Sequence, residues 1–266
     1  MIIHRIKYFS IKKKAILELS SSSVKLLIGN EGNTNLRMFK TFSERTVTTN
    51  GLRGGRMNLK WYKSKVLPTI IKYVRICETE GVDNITCIAT AVYRNSVNYS
   101  EIFDLIREET GVEPILLSGD EEAELSSKAY AKLSKGSQGY VLFIDQGRGS
   151  TEFVLTNPRG RVNMVYSFPH GNADIRSLRE SGIISFMENN KAIQGVIERV
   201  ISMNALIVGS GGILTKNAGF KKGQNVRLSK LGEEIFCIFR YILEKTGNSK
   251  MQINPGDTSL GAFYVY

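Results

Sequence analysis

Leu142-Phe143-Ile144-Asp145-Gln146-Gly147-Arg148-Gly149-Ser150-Thr151-Glu152-Phe153-Val154-Leu155 reads as two strands joined by a turn of small residues. An apolar run ends in an acid, the glycines at 147 and 149 admit positive φ and close backbone approach, and a second apolar run follows. The same device stands earlier, in Ile16-Leu17-Glu18-Leu19-Ser20-Ser21-Ser22-Ser23-Val24-Lys25-Leu26-Leu27-Ile28. Working outward, the periodicities around the two copies also match. Ala15–Leu19, Val24–Gly29 and Leu36–Phe42 read as three strands, as do Tyr140–Asp145, Glu152–Leu155 and Val162–Phe168. After the first triplet come a helix over Lys60–Glu80, which Pro68 must kink or delay, a strand at Ile85–Ala89, a helix at Tyr99–Thr110 and a strand at Pro114–Leu117. A helix at Asp120–Leu133 precedes the second triplet; a helix at Ile193–Met203, a strand at Ala205–Val208 and a helix at Leu231–Thr246 follow it. The repeat predicts two related α/β units, 1–118 and 119–266, with a cleft between them as the natural ligand site.

Composition narrows the setting. With 266 residues, 42% of them hydrophobic and 23% charged, the chain reads as globular, not disordered or collagen-like. No run reaches the ~18 apolar residues of a membrane span, and the first residues lack a secretory apolar run. Cys77, Cys87 and Cys237 are odd in number and widely spaced, which suits buried thiols and neither a disulfide framework nor a zinc site. A cytoplasmic location is the expectation. The formal charge of +11 is uneven: residues 1–75 hold 16 Lys+Arg against 3 Asp+Glu, and the other 191 hold 20 against 22. That excess suits a solvated face or attraction to a polyanion. From charge alone the polyanion could be nucleic acid, a membrane surface or a phosphate-rich small substrate; no nucleic-acid or membrane motif accompanies the charge.

Four turns carry candidate chemistry. The Glu18–Ser23 turn suits anion binding through backbone N–H groups and hydroxyls, and equally an ordinary hairpin. In the Asp145–Glu152 turn, Asp145 and Glu152 are candidate magnesium ligands; a hairpin with solvated acids is the alternative. Neither a Walker A nor a dinucleotide spacing is present. Ser118-Gly119-Asp120-Glu121-Glu122 opens a helix, where Ser118 and Glu121 form a capping box and leave Glu122 either as an acid favoured by the helix dipole or, facing the cleft, as a base that deprotonates a water. Val208-Gly209-Ser210-Gly211-Gly212 suits a phosphate, a nucleoside or a tight strand–helix turn. His4 and His170 stand too far apart for a catalytic or metal pair, Trp61 and Tyr62 read as packing residues, and the turn and short helix over Asn254–Ala262 carry no assigned role.

Taken in order, these segments resemble the exopolyphosphatase/guanosine pentaphosphatase (Ppx/GppA) family. Ile16–Ile28 looks like its first phosphate loop, Ala89-Thr90-Ala91-Val92-Tyr93-Arg94 like its Ala-Thr-x-x-x-Arg segment, Ser118–Ala123 like Ser-Gly-x-Glu-Glu-Ala, Ile144–Glu152 like Ile-Asp-x-Gly-Gly-Gly-Ser-Thr-Glu, Ser167–Gly171 like Ser-Leu-Pro-x-Gly, and Val208–Gly212 like Val-Gly-Thr-Gly-Gly. The resemblance implies two actin-like (ribonuclease H-like) domains around a cleft and magnesium-dependent hydrolysis of terminal phosphoanhydride bonds in polyphosphate or a guanosine polyphosphate. It implies Glu122 as catalytic base and Glu18, Asp145 and Glu152 as acids near metal. Phosphate would be bound by Ser21, Ser23, Lys25, Arg94, Gly147, Arg148, Gly149, Ser150, Thr151, Gly209, Gly211 and Gly212. A homodimer is also implied, and the resemblance favours an anionic phosphate chain over nucleic acid or membrane as the target of the basic excess. The chain departs from the pattern at Glu18 for Asp, Ser20 for Gly, Gln146 for an apolar residue and Arg148 for Gly. Arg148 either clamps a phosphate or fills the pocket. An actin-like module that binds nucleotide or polyphosphate without turnover is therefore the alternative to an active hydrolase, and an ATP-using kinase relative is a third.

Overall fold

The structure, a computed structural model, describes residues 12–32, 39–133, 139–159 and 161–266. His4 and the expected strand residues Leu36–Met38 lie outside them. The first unit opens with an antiparallel meander, β1 (Lys13–Leu19), β2 (Ser23–Asn30) and β3 (Lys40–Arg45). The hairpin β4 (Leu52–Arg53) and β5 (Arg56–Met57) turns through Gly54 and Gly55, both at positive φ, as a two-residue turn requires. Pro68 splits the expected 60–80 helix into α1 (Leu59–Lys65) and α2 (Leu67–Thr79), entering the first turn of α2 where its missing N–H costs nothing. β6 (Asn84–Ala89), α3 (Ala91–Arg94), α4 (Tyr99–Thr110) and β7 (Pro114–Leu116) complete the unit.

The second unit follows the same plan: α5 (Gly119–Leu133), then β8 (Val141–Gln146), β9 (Thr151–Thr156) and β10 (Val162–Phe168). α6 (Asn172–Glu188), α7 (Lys191–Met203), β11 (Leu206–Ser210), β12 (Asn225–Arg227), α8 (Cys237–Thr246), β13 (Lys250–Ile253) and α9 (Thr258–Val265) come after it. The sheets run β3-β2-β1-β6-β7 and β10-β9-β8-β11-β13-β12. Without the edge strand β12 the two orders are identical, an antiparallel triplet followed by two parallel strands. Each half is thus a ribonuclease H-like unit of the actin-like fold.

Strand alternation decides which residues meet between the halves. Ala15, Leu17 and Leu19 of β1 join Val24, Leu26 and Ile28 of β2 in a core under α1, α2 and α4. Ile16 and Leu27 point the other way, into a cluster with Leu125 and Ala129 of α5 and Leu260 and Phe263 of α9. In the second sheet Leu142, Ile144, Phe153 and Leu155 face α6, α7 and α8, whereas Val141, Phe143 and Val154 face Ala123 and Tyr130 of α5. α5 therefore sits between the two sheets, and α9 crosses back onto the first. Several findings differ from the sequence reading: β3 covers Lys40–Arg45, running past the expected end at Phe42, and the β4–β5 hairpin and α3 were not expected. The 231–246 helix begins only at Cys237, after a short 3-10 turn over Glu234–Phe236. α6 was not expected, because Arg179 breaks it with φ 62 and scatters its apolar spacing. The short strands β12 and β13 fall below the length that alternation can signal. Among the described residues no helix is long and apolar enough to cross a membrane.

Candidate active site

Even-numbered residues of β1 and odd-numbered residues of β2 and β8 face the layer between the sheets. Glu18 and Lys25 are cross-strand partners there, and so are Asp145 and Glu152 in the second unit. The repeat thus places two pairs at equivalent positions, one acid–base and one acid–acid. Lys25 Nζ donates to both carboxylate oxygens of Glu18, each at 3.1 Å. Burial alone would lower the lysine's pKa; Glu18, Asp257 and Asp145 outweigh it, and the ammonium is held charged. Glu18 is 4% exposed and accepts a further hydrogen bond from Ser259 Oγ. The lysine expected to face phosphate is thus engaged as the charge partner of Glu18.

The first turn of α5 supplies the next pair. The capping box forms as expected: Glu121 N donates to Ser118 Oγ at 3.1 Å, and Ser118 N donates to Glu121 Oε2 at 2.7 Å. Glu122 is left to turn inward. Arg94, at the end of α3, donates to Glu122 Oε2 at 2.8 Å and to Leu117 O at 2.9 Å, and approaches Glu152 Oε1 at 4.0 Å. Ser167 Oγ donates to that Glu152 oxygen at 3.2 Å. Arg94, expected on phosphate, therefore bridges two carboxylates. Gly119 is obligatory beside it, since a Cβ would meet Ser167 Cβ and Oγ at 2.5 Å.

The two small-residue turns close on each other. Ser20 and Ser23 lock the first turn, Ser20 N donating to Ser23 O at 3.0 Å and Ser20 Oγ to the same oxygen at 2.9 Å. The second turn is closed by Gly147 N to Ser150 O at 2.9 Å. A Cβ on Gly149 would stand 3.8 Å from Ser21 Oγ. Arg148 Nε crosses to Thr49 Oγ1 at 2.9 Å, and Thr49 N donates to Ser21 O at 3.3 Å. Arg148 thus spans the gap between the units. Ser150 bonds Glu152. Thr151 turns away and donates to His170 O at 2.8 Å, fastening Gly171 and Asn172 under the second turn.

The third turn divides. Gly209 lies inside β11, where a Cβ would meet Met251 Sδ at 2.9 Å and Leu214 Cδ1 at 3.0 Å, so its smallness serves packing and not a loop donor. Gly211, at φ 118, presses against the Gln146 carbonyl, and Gly212 begins the π-turn Ile213–Asn217. Sequence reasoning missed Ser126, Asp257, Thr258 and Ser259. Ser126 Oγ donates to Asp145 Oδ2 at 2.9 Å. Its position four residues after Glu122, on the same face of α5, is the signal that points to it.

Crowding of acids sets the electrostatics. Burial pushes the Glu122 carboxyl up to about 7; Arg94 opposes the rise, while Asp145 and Glu18 add to it. Burial also raises Glu152 well above the usual carboxylate range, with Glu122 adding to it. Burial raises Asp145 against the pull of Ser126 and Lys25. Because the folded-state value of Glu122 lies above its ordinary 4.5, its proton stabilises the fold below about pH 4.5, and that contribution is lost as pH rises through about 7. In urea melts of the metal-free protein, Glu122→Gln should therefore gain stability relative to wild type between pH 4.5 and 7. A constant difference across that range would contradict the raised value.

Glu18, Glu122, Asp145 and Glu152 offer hard oxygen donors, and as carboxylates they outnumber the cations Lys25 and Arg94 by two charges. That set fits magnesium. Among the described residues no three acidic, His or Cys side chains form a ready-made cage, which suits an ion that keeps several waters and shares its shell with substrate phosphates.

The chain is similar to known proteins in sequence and in fold. Exopolyphosphatase 1 of Mycobacterium tuberculosis is 27% identical over 158 residues, covering 59% of this chain and 45% of that protein. A bifunctional 3-dehydroquinate synthase/phosphatase of Fusobacterium nucleatum is 31% identical over 99 residues, 36% of this chain and 15% of that protein. The chain spans about half the length of the exopolyphosphatases it matches. Among solved structures, an exopolyphosphatase from Cytophaga hutchinsonii superposes with a TM-score of 0.78 at 14% identity, covering 96% of this chain and 97% of that one. A PPX-GPPA enzyme of Aquifex aeolicus gives 0.76 at 19% identity, covering 96% and 99%. These likenesses show a shared fold. The sequence model of the Ppx/GppA phosphatase family matches residues 40–228, a span holding Arg94, Glu122, Asp145 and Glu152, and the chain belongs to that family.

Proposed function

We propose that this protein is a phosphoanhydride hydrolase that uses magnesium to release the terminal phosphate of inorganic polyphosphate or of a guanosine penta- or tetraphosphate. One observation carries the reading: the largely buried Glu122 carboxylate, paired with Arg94 at 2.8 Å, stands in the same acidic cluster as Asp145 and Glu152, between two small-residue turns. Phosphoryl transfer asks mainly for positioning and charge stabilisation. The turns at Ser20–Ser23 and Gly147–Ser150 cradle the phosphate chain, and Arg148 caps it from the second unit. The arriving terminal phosphate draws Arg94 from Glu122, which leaves that carboxylate free to accept a proton. A water attacks the terminal phosphorus in line. Its proton passes to Glu122 Oε2, the new O–P bond forms, and the bridging P–O bond breaks with its electron pair leaving on the shortened chain. Asp145 and Glu152 would hold magnesium, which would supply charge neutralisation for the phosphate oxygens.

The names of the matched relatives support polyphosphate as the first substrate to try. Phosphate release should be assayed with polyphosphates of defined length, pppGpp, ATP and GTP, with and without magnesium. Magnesium-dependent release from polyphosphate or pppGpp is expected; release from none of them overturns the reading. The second reading, a module that binds without turnover, draws on Arg148, whose guanidinium already spans the gap to Thr49. Tight calorimetric binding without phosphate release would favour it. Transfer of phosphate to an acceptor other than water would instead indicate a kinase.

A further inference from the structure

The first two residues of α9 reach the acidic cluster. Thr258 and Ser259 are 5% and 3% exposed, and both hydroxyls are hydrogen-bonded, that of Ser259 to Glu18 and that of Thr258 to Ser126. Ser259 Oγ donates to Glu18 Oε2 across 241 residues of sequence. Thr258 Oγ1 lies 2.9 Å from Ser126 Oγ, which itself lies 2.9 Å from Asp145 Oδ2. While Asp145 is ionised it only accepts, so the single Ser126 hydrogen goes to Asp145 and Thr258 donates to Ser126. Burying hydroxyls costs free energy that an apolar helix face avoids, so these two are placed for the carboxylates they address. The loop before α9 is tied down as well: Asn254 N donates to Gly209 O at 2.8 Å, Gly256 N donates to Asn254 Oδ1 at 2.9 Å, and Asp257 caps the helix by accepting from Leu260 N at 3.1 Å.

We infer that Thr258 and Ser259 are positioning residues: Thr258 acts through Ser126 to fix the Asp145 carboxylate, Ser259 fixes that of Glu18, and together they orient the oxygens offered to a divalent cation. The inference rests on the proposed reading of Asp145 as a magnesium ligand. Groups that orient a ligand from behind typically change metal affinity 10- to 100-fold when removed. The hydroxyl, and not the bulk, of residue 258 is what matters.

Chelator-treated wild type, Thr258→Val, Thr258→Ser and Ser126→Ala are titrated with Mg²⁺ alone by isothermal calorimetry, beside thermal melts of each. Wild type and Thr258→Ser should bind alike, while Thr258→Val and Ser126→Ala should bind at least about tenfold more weakly with unshifted melts. Should Thr258→Val unfold, Ser126→Ala carries the same expectation. Wild-type affinity in a folded Thr258→Val or Ser126→Ala overturns the inference and leaves the proposed function standing. No Mg²⁺ uptake by the wild type overturns the metal reading itself.

Discussion

Glu122→Gln should reduce phosphate release from polyphosphate by about 10²- to 10⁴-fold in kcat, the range general base catalysis contributes, with KM little changed. The substitution keeps the shape and a hydrogen-bonding oxygen for Arg94, but removes the proposed acceptor of the water's proton. The fold should survive it, since Glu121, not Glu122, closes the capping box of α5. A steady-state assay with urea melts as control separates loss of chemistry from loss of structure. Wild-type turnover in folded Glu122→Gln would remove the base assignment and, with it, the mechanism.

Gly261→Val is expected to give the largest stability loss of any single change in α9. A Cβ at residue 261 would overlap the carbonyl oxygen and carbon of Leu125, which are backbone and cannot swing aside. Gly256, in the loop before α9, lies against Ala129 one helical turn further along α5. Overpacking of this kind costs about 1–3 kcal/mol, occasionally more. Backbone overlap places Gly261→Val at the upper end, and about 3 kcal/mol lowers the melting temperature by roughly 6–12 °C in a chain of this size. Scanning calorimetry checks it, and an unshifted melt would show that α9 does not dock on α5 as described. Activity should fall together with stability, because α9 also carries the hydroxyl donated to Glu18.

Much of this arrangement is legible in the chain. The paired strand–turn–strand devices announce the duplication, and alternation along β1, β2, β8 and β9 places Glu18, Lys25, Asp145 and Glu152 on one side of their sheets. Pro68 announces the break between α1 and α2, and Ser118 with Glu121 announces the start of α5. What the chain hides is who partners whom. Lys25 and Arg94 look like free cations in the sequence; only the packed layer shows each against a carboxylate. Gly209 looks like part of a loop until Met251 and Leu214 are seen to crowd it. Thr258 and Ser259 look like ordinary helix-start residues, since their partners are 132 and 241 positions away and no local spacing reports such distances.

That separation bears on how the protein comes to be assembled. The first sheet is complete by Leu116, yet the contacts that finish its acidic cluster wait for α9. Contacts so distant in sequence must meet a loop-closure cost before they return any energy. Until α9 docks, the first sheet's Ile16 and Leu27 are uncovered on their α9 side, and Glu18 has Lys25 but not Ser259. The acidic cluster thus draws on residues from both ends of the described chain, and a truncation that removes α9 takes Thr258 and Ser259 out of it.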